Sequence, residues 1–403
     1  MRQGILRPLL AAASAAMLAL AGCGGGGGGG SSSAPMPTAN TQAIVVDGGP
    51  AKIPNVAFVS VTICVSGTNN CQTIDHIQID TGSAGLRILA PLISAGLALP
   101  QQTDAAGNPL VECAQFVDGF SWGPVKMADI RIAGEQASSV PIQVIGDSNF
   151  TTIPASCSSS GPPENTVQAF GANGLLGAGL FLQDCGPACA QTALPGAYYS
   201  CPAGAACKPV QVALAQQLQN PVALFATDNN GVVIQVPSAP ATGAMTANGT
   251  LTFGIGTQAN NALGGATVLP TNPNTGTIVT NFNGHAYANS YIDVGSNLFF
   301  FGVNAFPLCT GIAQGLYCPV ATQNLSATLQ GTSQASSNVN FSVGNADQLF
   351  GANPTFNAFD NIAAPSGDTS TFAWGMSFFY GRTVYTAIEQ RSTPGGQGPY
   401  FAF

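Results

Sequence analysis

Charge is what this chain has least of. Only 6% of its 403 residues are Asp, Glu, Lys or Arg, nine basic and 17 acidic. So few cations leave no basic footprint for a phosphate backbone, which argues against nucleic acid as a partner. Histidine is scarcer still: His76 and His285 are the two. No His-Glu-x-x-His or comparable ligand spacing occurs, so no metal site is expected. Helical periodicity is also thin, and the best case is "PVQVALAQQLQN" at 209–220, with a proline start and a turn after it. There is no βαβ alternation and no fixed-period repeat. Disorder does not fit either, because 45% of the residues are hydrophobic.

What is present is glycine, small polar residues and short β-branched or aromatic runs bounded by Gly, Pro or Asn. "AIVV", "VAFVSVTICV", "HIQID", "ADIRIAG", "VPIQVIG", "GVVIQV", "LTFGIG", "GTIVTNF", "SYIDVG" and "RTVYTAI" all read as strands. The expectation is an all-β protein with few short helices. Its size suggests two lobes, 44–226 and 227–403, since one compact core rarely grows this large.

The first residues carry an address rather than a fold. Arg2 and Arg7 precede the apolar run "LLAAASAAMLALAG", too short for a stable spanning helix, and then comes Cys23. Residues 1–22 read as a signal peptide. "LAGC" resembles the lipobox of bacterial lipoproteins, which implies acylation of Cys23 and a lipid anchor. Residues 23–43 then form the anchor cysteine and a Gly/Ser-rich tether, of roughly 25 Å reach. A cell-envelope location is expected, with the outer membrane as default because Gly24, not Asp, follows the cysteine. Setting Cys23 aside leaves ten of the 11 cysteines, an even number in an oxidising compartment, so disulfides are expected. Cys64 and Cys71 flank a hairpin turn, and Cys309 and Cys318 close a short loop. Cys185, Cys189, Cys201 and Cys207 crowd one insertion, where two disulfides are favoured over a zinc site.

One theme occurs twice. "HIQIDTGSAGLRI" at 76–88 and "NSYIDVGSNLF" at 289–299 each run an apolar-polar strand into Asp-x-Gly-Ser. Glycine permits a tight turn and the serine can orient the carboxylate. If the two lobes face each other, Asp80 and Asp293 meet, cannot both ionise, and share one proton. Such a pair can hold a water, deprotonate it, and protonate a scissile carbonyl.

These loops resemble the active-site loops of pepsin-like aspartic peptidases. "FGANGLLGAGLF", "VQVALAQQLQNPVALF", "GTLTFGIG" and "FAWGMSFFYGRTVYTAI" are similar, in the same order, to further segments of that family, over roughly 52–390. The resemblance implies a bilobal pepsin-like fold and peptide-bond hydrolysis, needing no cofactor or metal. Asp80 and Asp293 would be the catalytic dyad. Thr81, Gly82, Ser83, Gly295 and Ser296 would orient it, with the Thr81 hydroxyl crossing to the opposite loop. The flap would lie in 115–134, where Phe116, Phe120 or Trp122 would cover the substrate cleft. The partners implied are a peptide or protein substrate and, through Cys23, a membrane, for a protein expected to be monomeric.

Two departures weigh against activity. Val294 stands where the second loop usually has a hydroxyl residue, and the flap segment has no tyrosine; a lost donor can cost orders of magnitude in rate. The alternative is therefore a catalytically inactive binding or scaffold lipoprotein on the same plan. A third reading, a nucleophile elbow at "GFSWG" with Ser121, requires a helix after the serine, and a strand pattern follows instead. His76 is expected on the Asp80 face of its strand as a hydrogen-bonded structural residue, and His285 in a solvent-facing turn.

Overall fold

The computed structural model describes residues 40–302 and 304–403. The segment expected to be a signal peptide, Cys23 and most of the expected tether lie outside the described residues. Chain order begins with a strand at Thr41–Val46, so the last three residues assigned to the tether belong to the folded part.

The fold is all-β. Each run read as a strand overlaps one, and the longest α-helix described, Ala346–Ala352, has seven residues, capped by Asn345 accepting from the Gln348 N–H. Strands win because the chain is built of Val, Ile, Thr and aromatic residues in short alternating runs, which fit a pleated, half-buried surface. The 209–220 segment does not form the expected helix. Its backbone is claimed elsewhere: the Val210 N–H donates to Tyr198 O at 3.0 Å and the Val212 N–H to Cys189 O at 2.9 Å. Only Leu214–Gln216 turns, as a 3-10 helix. Tertiary partners override a weak local propensity.

One arrangement occurs twice. In the first half, Cys71–Asp80 leads into the Asp80 loop and Ala84–Leu89 leads out. Between them runs Gly174–Ala178, parallel to the entering strand (Asp80 opposite Gly177) and antiparallel to the leaving one (Ala84 opposite Ala178). In the second half, His285–Ile292 enters, Phe299–Phe300 leaves, and Ala373–Trp374 lies between, again parallel to the first and antiparallel to the second. Glycines make the close approach possible. A Cβ at Gly177 would lie 2.8 Å from Ser83 Oγ, and one at Gly375 would lie 2.1 Å from Leu298 O.

The halves are stitched, not merely apposed. Thr41–Val46 pairs with Ala247–Phe253, and Gly231–Val236 pairs with both Ala247–Phe253 and Arg382–Ala387. Buried Asn55 donates to Phe359 O (2.6 Å) and accepts from the Phe359 N–H (2.7 Å) and the Tyr380 hydroxyl (3.0 Å). The main apolar core runs from Ile44 and Val61 through Leu251 and Phe282 to Phe401. In the second half it is aromatic, with Phe372 stacked between Phe301 (4.7 Å) and Trp374 (4.3 Å).

Five disulfides are described. Cys64–Cys71, Cys185–Cys189, Cys201–Cys207 and Cys309–Cys318 are local, and Cys113–Cys157 spans 44 residues.

Candidate active site

The repeated strand arrangement delivers the two Asp-x-Gly-Ser loops to one place. Each carboxylate takes the same two bonds from its own turn. Asp80 Oδ1 accepts from the Gly82 N–H at 2.7 Å and Oδ2 from the Ser83 hydroxyl at 2.6 Å. Asp293 Oδ1 accepts from the Gly295 N–H at 2.8 Å and Oδ2 from the Ser296 hydroxyl at 2.9 Å. The Ser296 N–H adds a bond to Asp293 Oδ2 at 3.0 Å. A glycine two residues on and a serine three residues on thus fix each carboxylate from its own turn.

The loops also interlock. The Thr81 N–H donates to Asp293 Oδ1 at 3.1 Å, and the Thr81 hydroxyl lies 3.3 Å from the same oxygen. That hydroxyl accepts from the Val294 N–H at 3.0 Å. A Cβ at Gly295 would sit 2.5 Å from Asp80 Oδ1, so the second loop presses its backbone against the first carboxylate.

Two acids this close ionise one after the other. Burial, and next the Asp80 charge, raise Asp293 to about 6. Burial works against ionising Asp80 as well, but hydrogen bonds from Ser83, Asp293 and Gly82 help hold it below the usual carboxylate range. Below about pH 6 the pair holds one proton, which the Asp80 charge favours on Asp293. Both carboxylates are fully buried, while Gly82 is exposed and Ser83 half-buried. The first loop's turn thus reaches solvent at Gly82, whose N–H holds Asp80. A recess of about 640 Å3 lies elsewhere, along Asn338, Asn340, Arg382, Tyr385 and Phe403.

The residues expected to cover a cleft are differently placed. The hairpin of Leu110–Gln115 and Phe120–Ile132 exists. Phe120 and Trp122, however, are buried in a separate core with Cys113, Cys157 and Tyr199, and the Trp122 indole donates to Phe150 O at 2.8 Å. Alternation along a strand that packs on its own satellite core points them inward. Phe116 is half-buried against Phe170, and Val117 at the turn is exposed.

Ser121 is buried on a strand and donates to Gln143 Oε1 at 2.8 Å, which removes the nucleophile-elbow reading. His76 adopts a left-handed backbone (φ 47°) at a β-bulge, which breaks the alternation that placed it on the Asp80 face. It pairs with Asp47 instead, at 3.1 Å. His285 is exposed and bonds Thr369 O at 2.7 Å.

Sequence reasoning missed three features. Gln78, two residues before Asp80, donates from Nε2 to Gly295 O at 2.8 Å. Tyr291, two before Asp293, is held protonated by burial and then by the Asp293 charge. The third is an ionic cluster on the strand leaving the first loop: Arg87 Nη2 meets Glu112 at 2.6 Å and Asp184 at 3.6 Å, and Tyr198 donates to Asp184 at 2.7 Å. Strand alternation puts Gln78 on the face of Asp80, which is the signal that could have flagged it.

Residues 36–403 match the family described as "Protein of unknown function (DUF3443)", and the chain belongs to that family. No curated protein matches the chain.

Proposed function

We propose that this protein is an aspartic-type endopeptidase with a bilobal pepsin-like fold, lipid-anchored in the bacterial envelope through Cys23. The observation that carries the reading is the matched pair of carboxylate shells at Asp80 and Asp293, joined across the halves by Thr81. Asp80, the ionised partner, takes a proton from a water lying between the two. Asp293, raised to about 6, donates its proton to the carbonyl oxygen. Water attacks the carbonyl carbon, the tetrahedral adduct forms, and collapse expels the amine with a proton returned from the dyad. Gly82 and Ser83 mark the side from which substrate reaches the pair. Cleavage of a diverse peptide library between pH 3 and 7, abolished by Asp80→Asn with the fold intact, tests the assignment.

The second reading, a binding or scaffold protein without turnover, is favoured by one observation: both carboxylates are fully enclosed, and Phe120 and Trp122 are committed to a separate core. An intact fold with no cleavage and no affinity for a statine-type transition-state mimic would establish it.

A further inference from the structure

Each Asp loop has two positions from which a side chain can reach the other: two residues before the aspartate and one after it. In the first half these are Gln78 and Thr81, and in the second Tyr291 and Val294. The two halves use them unequally. Gln78 Nε2 donates to Gly295 O at 2.8 Å, and Thr81 Oγ1 accepts from the Val294 N–H at 3.0 Å. Val294 is apolar and fully buried in the main core, and Tyr291 packs against the second-half cluster around Leu298 and Phe359. Both backbone-directed ties between the loops therefore start from side chains of the first.

We infer that Gln78 is a positioning residue of the dyad, holding the second loop at Gly295 in place of the hydroxyl tie that Val294 cannot make. The inference rests on the peptidase reading for its catalytic meaning, but its geometry stands independently. Gly295 is the pivot of the site. Its N–H holds Asp293 Oδ1, its carbonyl is held by Gln78, and its α-carbon faces Asp80 so closely that a methyl group would overlap the carboxylate. Fixing that one residue fixes both acids relative to each other. Gln78 is itself 2% exposed and is paired on both sides, opposite Phe58 on one and Leu175 on the other, so its amide is delivered from a rigid base. A buried amide aimed at a buried carbonyl is a tie whose loss is not made good by water.

The reciprocal prediction gives the test. Because the strand arrangement repeats, a threonine at 294 would occupy the place that Thr81 occupies in the first loop, with its hydroxyl aimed back across. The variants are Gln78→Met, which keeps length but removes the donor, Val294→Thr, and the double variant. The readout is the titration of the Asp293 carboxyl, followed by carbon NMR, and its return in the double variant separates loss of the tie from a general loss of packing. Gln78→Met is expected to shift that titration by about half a pH unit or more, and the double variant to bring it back. If cleavage is observed, Gln78→Met should lower kcat about tenfold or more with KM little changed. An unaltered Asp293 titration in Gln78→Met, or a shift that Val294→Thr leaves in place, overturns the inference. Should Gln78→Met fail to fold, the double variant decides: folded with the wild-type titration it supports the tie, unfolded it refutes it. The titration judges Gln78 even in a protein that cleaves nothing, so its failure is distinct from failure of the peptidase reading.

Discussion

Thr81 bonds Asp293 through its backbone N–H and Val294 through its hydroxyl, two contacts across more than 210 residues of chain. One residue of the first loop thereby holds both the acid and the turn of the second. Thr81→Val should keep shape and lose the hydroxyl tie. A buried N–H left without a partner costs about 1–3 kcal/mol. Urea unfolding should show that loss, and Thr81→Ser should recover most of it.

Gly295 makes a steric prediction. Any side chain there meets Asp80, with a Cβ 2.5 Å from Oδ1. Gly295→Ala should destabilise by about 1–3 kcal/mol, as overpacked sites do, and remove any dyad-dependent binding. Calorimetric melting together with mimic binding checks both parts.

The raised Asp293 pKa is a statement about stability against pH. A folded value of about 6 above an ordinary 3.8 means the folded state binds the proton more tightly. That contribution is complete below pH 4 and disappears as pH rises through 6. Its ceiling is on the order of 3 kcal/mol. Asp293→Asn should remove this fall between pH 4 and 6. Other buried carboxyls, Asp184 among them, are raised too, so the quantity to plot is wild type minus variant.

Arg87 stands between Glu112 and Asp184 with 3% exposure. Removing it leaves two carboxylates facing each other in the interior. Arg87→Met should cost about 3–5 kcal/mol at pH 7. The cost should shrink in acid, where Asp184, raised by burial and by Glu112, takes up a proton. Urea titrations at pH 7 and 4 give the comparison.

Much of this was written locally in the chain. The strands were legible because each is a short β-branched run between turn residues, and the dyad because the same five-residue idea occurs twice. Cys64–Cys71 and Cys309–Cys318 were legible from loop length alone. What depends on distant partners was not. The Cys113–Cys157 bridge, the Arg87 cluster and the destination of the Gln78 amide require knowing which strands become neighbours. The segment 209–220 misled for the same reason: its helical composition is real, but Tyr198 and Cys189 claim its amides. Phe120 and Trp122 were read as cleft residues because the hairpin was found without the satellite core beneath it.

The central claim is that Asp80 and Asp293 act as one acid–base pair on a shared ligand. Isothermal titration of a statine-type peptide into the purified protein near pH 4.5 tests it most directly, with Asp80→Asn run alongside. The account predicts binding at least about 100-fold tighter than the matching unmodified peptide, lost in the variant. Equal affinity for the two peptides, or binding that survives Asp80→Asn, would contradict it.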